Sequence, residues 1–239
     1  MNLHEETQTF KAAIQLASSP VEEGGLGINE VFLEKDYWIC RSLKQLSRSK
    51  AVDVAVFKGG TSLSKAHNLG DRFSEDIDIA ILNDRNLPEN QTKKIIHEIT
   101  KVMSQGLVEV LKPDTRKYSK YRKVYYEYPR VTENTQIVSV NSGQILLEVV
   151  SFANPYPYHK VLIKSFITEY LEKSGRVDVI ENLNSPPPPS KESKKEIIEY
   201  ALMCSHLNPH KSVRIFFIDF FKILQSFSIL YRSLVKNIL

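Results

Sequence analysis

FKGGTSLSKAHNLGDRFSEDIDIAIL, running from Phe57 to Leu82, is the stretch whose reading decides the fold. It has the order strand, glycine turn, short helix over Thr61–Asn68, then a second strand. In that second strand Ile77, Ile79 and Ile81 alternate with Asp76, Asp78 and Ala80. A period of two marks a strand with one apolar face and one face free for chemistry. Residues i and i+2 of a strand project to the same side, so Asp76 and Asp78 are expected to stand together. Two carboxylates held that close repel unless a cation lies between them or one takes a proton. Hard oxygen donors favour Mg2+ or Mn2+. A pair of surface acids on a solvated face is the plainer alternative. Gly59-Gly60 lets backbone N–H groups approach a phosphate with no side chain in the way. Alone, a glycine pair is usually just a turn; ahead of Thr61 and Ser62 at a helix start it points to phosphate binding.

Working outward, the strand ILLEVVSF, Ile145 to Phe152, carries one acid among apolar neighbours. Glu148 is costly to bury unless paired or metal-bound, though an edge strand facing water would also accept it. With Asp76 and Asp78 it makes a third carboxylate, and the three are expected to converge around cations. Glu30–Leu46 has helical spacing of Val31, Phe32, Ile39, Leu43 and Leu46, with Asn29 as N-cap. Ala51–Phe57 and Lys123–Tyr128 read as strands, and Asn141-Ser142-Gly143 as a turn. Pro88–Leu111 and Val161–Lys173 read as helices. Together these imply an α/β (α+β) fold with a mixed sheet flanked by helices. Residues 1–185 form one domain. Residues 186–239 hold a stiff connector, Pro186 to Pro189, and a helical tail in which Phe216, Phe217, Phe220 and Phe221 share one face.

The chain has 239 residues, 42% hydrophobic and 25% charged, which suits a sizeable core. No signal peptide or spanning run is legible, so no membrane partner is expected. Cys40 and Cys204 form neither a ligand pattern nor a disulfide framework and read as packing residues, which fits a cytoplasmic location. The scattered histidines His67, His97, His159, His206 and His210 read as ordinary polar residues. Net charge is +4. Its densest stretch holds Lys112, Arg116, Lys117, Lys120, Arg122, Lys123 and Arg130, interleaved with Tyr118, Tyr121, Tyr125 and Tyr126. Cations attract phosphates and aromatic faces stack on bases, so Lys117, Lys120, Arg122 and Lys123 are candidates for a nucleic-acid patch. A solvated strand edge has the same composition.

The Gly59-Gly60-Thr61-Ser62 turn, the string Arg72-Phe73-Ser74-Glu75-Asp76-Ile77-Asp78 and the Glu148 strand resemble the AbiEii/AbiGii toxin family of nucleotidyltransferases, within the DNA polymerase β-like superfamily. Glu34-Lys35-Asp36-Tyr37-Trp38 upstream and Ser151-Phe152-Ala153-Asn154-Pro155 downstream support the resemblance, which spans roughly Asn29 to Gly175. It implies a toxin of a type IV toxin–antitoxin or abortive-infection system with a separately encoded antitoxin. The implied activity moves a nucleoside monophosphate from an NTP substrate to a hydroxyl acceptor, RNA or tRNA foremost. The motif match assigns the metal to Asp76, Asp78 and Glu148, and phosphate binding to Gly59, Gly60, Thr61 and Ser62. Lys58, Lys65 and Arg72 lie in the same string and offer charge to a triphosphate; for Lys65 and Arg72, plain helix-surface solvation is the alternative. Relatives continue into a longer helical half, with a lysine-bearing helix and then an arginine followed by aspartates. Here Lys194-Lys195-Glu196 and Arg214 with Asp219 are distant counterparts only. A curtailed tail is therefore expected. It leaves open a catalytically degraded nucleotide- or RNA-binding module, or a transferase acting on a small molecule or protein.

Overall fold

A computed structural model describes residues 3–67, 76–82, 87–132, 143–152, 155, 158–175 and 214–216. Its centre is an eight-stranded mixed sheet. The strands are β1 (Ala55–Lys58), β2 (Asp76–Ile81), β3 (Val108–Val110), β4 (Arg116–Lys117), β5 (Tyr121–Glu127), β6 (Gln144–Val150), β7 (Tyr158–Lys160) and β8 (Arg214–Phe216). Their order is β3-β5-β6-β2-β1-β8-β7, with β4 also paired to β5. β2 runs parallel to β6 and antiparallel to β1, while β5 is antiparallel to β6.

The helices are α1 (Thr7–Ser18), α2 (Glu30–Ser47), α3 (Gly59–His67), α4 (Glu89–Met103) and α5 (Phe166–Lys173). α2 begins where its sequence says: the Asn29 side chain accepts the Val31 N–H at 2.9 Å. Such a cap contributes about 1 kcal/mol. One apolar face of the sheet, with Phe57, Ile77, Ile79, Ile81, Ile145, Leu147 and Val149, packs against Trp38, Leu43 and Leu46 of α2 and Ile96, Ile99 and Met103 of α4. A second cluster joins Phe10 and Ile14 of α1, Leu33 of α2 and Ile167 and Leu171 of α5.

Several elements depart from the expectation. The segment read as one strand over Ala51–Phe57 is a 3-10 turn at Lys50–Asp53 followed by β1, because only Ala55 onward finds a strand partner in β2. The helix expected over Pro88–Leu111 stops at Met103, and Val108–Val110 instead pairs with β5. Gly106, with φ of 77°, makes the reversal between them. The helix expected from Val161 starts at Phe166, where Ser165 caps it by accepting from Thr168 N. Residues 214–216, expected in a helical tail, form β8, parallel to β1. The proline run, Cys204, His206, His210, Phe217, Phe220 and Phe221 lie outside the described residues.

The helical layer is held by charge as well as by apolar burial. Asp36 on α2 is fully buried and forms an ion pair with Lys65 of α3, itself almost fully buried. The Asp36 carboxylate also accepts the Phe166 N–H at 2.8 Å, at the first residue of α5. Lys65 Nζ donates to the Lys164 carbonyl at 3.1 Å and stands 3.8 Å from the centroid of the Phe166 ring. Burial pushes the Asp36 carboxyl up, against the pull of Lys65. One partner without the other strands a buried charge, which costs about 3–5 kcal/mol. Lys65→Met is therefore expected to destabilise by about that amount. Adding Asp36→Asn, which keeps an acceptor for Phe166, is expected to restore part of the loss in urea unfolding. A double variant less stable than Lys65→Met would show that the two charges are not one unit.

His4 packs against Trp38 at 4.7 Å between ring centroids and shares a hydrogen bond of 2.8 Å with the Tyr37 hydroxyl. Burial first, then Arg41, lowers its pKa to about 4. An unfolded chain takes that proton near pH 6.5. Between those values the unfolded state binds a proton the folded state refuses, so His4 makes stability fall as pH drops through that window. His4→Phe should flatten the fall when denaturation midpoints at pH 7 and pH 5 are compared.

Candidate active site

β2 and β6 build the site by register. They are parallel neighbours, with Asp78 directly opposite Glu148 and Asp76 opposite Leu146. Because Ile77 and Ile79 of β2 and Leu147 and Val149 of β6 are committed to the core, Asp76, Asp78 and Glu148 must emerge on the opposite face. β1 and β5 flank them. Lys58 is the register partner of Asp78, and Lys123 that of Glu148. Lys58 Nζ lies 3.8 Å from Asp78 Oδ1, and Lys123 Nζ lies 3.7 Å from Glu148 Oε1.

The electrostatics follow from this packing. Burial raises the Asp78 carboxyl above its ordinary range; Lys58 opposes the rise, and Glu148 and Asp76 add to it. Lys123 is held by Asp114 at 2.9 Å, and that hydrogen bond raises its pKa well above the usual lysine value. Asp114 is lowered to about 2, first by the Tyr125 hydroxyl, which donates to it at 2.6 Å, and then by Lys123. Tyr121 also faces the site. Burial, then the charge of the Glu148 carboxylate, raises the pKa of its hydroxyl.

Gly59 is required twice over. Its φ is 79°, a conformation L side chains rarely adopt, and an added Cβ would lie 2.1 Å from Asp78 Oδ2. The glycine thus makes room for the carboxylate as well as for the turn. Thr61 and Ser62, assigned to phosphate, are both buried and engaged within the fold. Thr61 Oγ1 donates to the Asp76 carbonyl at 2.6 Å, tying α3 to the start of β2. Ser62 Oγ donates to the Gly59 carbonyl at 2.8 Å. Lys65 is likewise turned inward to Asp36, so it offers no charge to a triphosphate. Gly60 is exposed at the first turn of α3, and Lys58 remains beside the acids. Arg72 lies outside the described residues.

The expected nucleic-acid patch is divided. Adjacent residues of β5 face opposite ways, so Lys123 joins the acids while Arg122 turns toward α4, within 3.2 Å of His97 Nδ1. Lys117 pairs with Glu109, and Lys120 is exposed. Tyr125 and Tyr126 are buried and present no face for stacking; Tyr118 is 61% exposed. Sequence reading missed Asp114 and Tyr121 as neighbours of the acids, and missed Asp36 as the partner of Lys65. The signal for Asp36 was present: a carboxylate inside an otherwise apolar helix face demands a buried cation.

As a donor set, Asp76, Asp78 and Glu148 supply only hard carboxylate oxygens, and Asp78 is destabilised as an anion by burial and by its acidic neighbours. That chemistry fits a divalent Mg2+ or Mn2+ ion. Among the described residues, however, no group of three or more His, Cys, Asp or Glu side chains is gathered closely enough to hold a metal ion. The expected convergence is thus a register adjacency, with lysines beside Asp78 and Glu148.

A mixed sheet that sets carboxylates on neighbouring strands beside a glycine turn defines a nucleotidyltransferase-type fold. The profile of the family described as nucleotidyl transferase AbiEii toxin, type IV toxin–antitoxin system, matches residues 41–181, and the chain belongs to that family. Among solved structures it is similar to MenT4, a nucleotidyltransferase toxin from Mycobacterium tuberculosis, at 17% identity and a TM-score of 0.41, covering 64% of this chain. It spans about half, 47%, of the length of MenT4. It is also similar to JHP933 from Helicobacter pylori, at 13% identity and a TM-score of 0.38, covering 87% of this chain and 99% of that one. No curated protein matches the chain. Among the described residues, no helix is long and apolar enough to cross a membrane.

Gly59→Ala is expected to cost about 1 kcal/mol from backbone strain alone, and more from collision with Asp78. In an Asp78→Ala background the collision is gone and the cost should shrink toward the strain alone. Thermal unfolding of the four-member cycle measures this. Full additivity would mean that the glycine and the carboxylate do not compete for space.

Proposed function

We propose that this protein transfers a nucleoside monophosphate from an NTP to a hydroxyl of an RNA acceptor, tRNA foremost. It would act as the toxin of a type IV toxin–antitoxin pair with a separately encoded antitoxin. Family membership supports the reaction class. The observation that carries the reading is the placement of Glu148 opposite Asp78 on a parallel neighbour, with Lys58 and Lys123 alongside.

In the reaction, the acceptor oxygen forms a bond to the α-phosphorus, the α–β phosphoanhydride breaks and pyrophosphate leaves. The hydroxyl proton passes to a carboxylate of the cluster. Asp76, Asp78 and Glu148 would hold Mg2+ or Mn2+. A bound divalent ion supplies positive charge that eases hydroxyl deprotonation and offsets charge on the leaving group. Gly60, at the start of α3, offers backbone N–H to phosphate oxygens at a helix N-terminus. Lys58 is placed to share its charge between Asp78 and the triphosphate, and Lys123 between Glu148 and the triphosphate. Asp114 and Tyr125 orient Lys123 rather than touching substrate.

Incubation with α-labelled NTPs, Mg2+ and total tRNA is expected to label RNA. Asp78→Asn and Glu148→Gln should each lower the rate by about 100-fold or more with the thermal midpoint retained. Folded wild-type protein that labels no RNA with any of the four nucleotides would refute the acceptor class. Unchanged rates in both variants would remove these carboxylates from the chemistry.

A further inference from the structure

The acids are not the only feature on their face of the sheet. Where β5 begins and β6 ends, two aromatic side chains meet: Tyr121 and Phe152, with ring centroids 6.3 Å apart at an interplanar angle of 42°. Phe152 is 72% exposed and belongs to neither hydrophobic cluster. Its backbone is nonetheless anchored. Both Ser151 N and Ser151 Oγ donate to the Lys120 carbonyl, each at 3.1 Å, which extends the β5–β6 ladder one residue past its last pair, Tyr121 with Val150. Strand alternation then sets Phe152 on the same side as Glu148. Tyr121 closes the link, because it stands on the Glu148 face of the sheet, opposite Val150, while its ring contacts Phe152. Tyr118, also exposed, lies on the adjoining turn, where its N–H donates to the Tyr121 carbonyl at 2.8 Å.

We infer that Phe152 and Tyr121 form a stacking platform for a nucleobase at the edge of the carboxylate site. An exposed, anchored π-face binds a base largely without regard to its identity, because every base has such a face. This deepens the proposed function and rests on it. The base comes either from the terminal nucleotide of the acceptor or from the incoming triphosphate.

The two sources separate in binding assays that need no turnover. Full-length Phe152→Ala, Phe152→Leu and Phe152→Trp are titrated, without added metal, against a labelled single-stranded RNA by fluorescence anisotropy. The same proteins are titrated with a nucleoside triphosphate by calorimetry. Because Phe152 is exposed, all three variants should keep the wild-type thermal midpoint. Phe152→Ala and Phe152→Leu are expected to weaken one of the two ligands about tenfold, with Phe152→Trp at or near wild-type affinity. Weakening of RNA alone assigns the acceptor base; weakening of the triphosphate alone assigns the incoming base. No change for either ligand, or Leu restoring affinity as well as Trp does, overturns the platform. Asp78→Asn serves as the control. It should lose transfer yet retain Phe152-dependent binding, so failure of the transfer reaction is distinguishable from failure of the platform.

Discussion

The buried ion pair between Asp36 and Lys65 is the constraint on which the site geometry rests. Three helices meet there: α2 supplies the carboxylate, α3 the ammonium, and α5 an N–H to the same carboxylate. Apolar packing alone would leave α3, a short helix of nine residues, free to rotate about its axis. A directional charge pair does not, since any rotation strands a charge in a dry interior. α3 opens at Gly59, whose left-handed φ and missing side chain let Asp78 approach. The orientation of α3 is therefore transmitted to the first acid through a single turn. Thr61 adds a second tie, from α3 to the backbone of Asp76.

The acid cluster is in the same way a by-product of core formation. Ile77 and Ile79 on β2, and Ile145, Leu147 and Val149 on β6, face α2 and α4. A slip of one residue in either strand would drive these side chains into solvent and Glu148 or Asp78 into hydrocarbon, each several kcal/mol uphill. Hydrophobic burial thus fixes which residues stand opposite one another, and the alignment of Asp78 with Glu148 follows without any attraction between them. The two repel, and the fold tolerates this because Lys58 and Lys123 arrive on the outer neighbours in matching register.

This division explains what was legible in the sequence. Alternation of apolar and acidic residues is a local pattern, so β2 and the emergence of Asp76 and Asp78 on one face could be read directly, whereas Glu148 stood out only as one acid in an apolar strand. So could α2 and its Asn29 cap. Side-chain partners are not local. Lys65 reads as a surface cation until Asp36, far upstream, is known to lie beneath it. Thr61 and Ser62 sit in a phosphate-binding motif, yet both hydroxyls are taken up by backbone carbonyls. The Lys112–Arg130 stretch looked like one basic, aromatic surface because charge density ignores strand parity. β5 sends Lys123 and Tyr121 to the acids, and Arg122, with the buried Tyr126, to the other face. β8 was illegible for a different reason: its three residues gain strand structure only from partners in β1 and β7.

The two lysines differ from ordinary structural ion pairs in how loosely they hold the acids. Lys123 makes a tight contact with Asp114 at 2.9 Å but stands 3.7 Å from Glu148, and Lys58 stands 3.8 Å from Asp78. At such separations an ammonium lowers the repulsion between carboxylates without forming the short, directional bond that would lock them. Each is also partly exposed, so moving toward another anion uncovers little that was buried. For Lys123 the anchor is Asp114, an acid outside the cluster, so its charge stays near the site whether or not Glu148 has other contacts. A lysine of that kind keeps the carboxylates compatible with folding yet leaves their oxygens available. Resident screening is thereby separated from the ligation the proposed reaction requires.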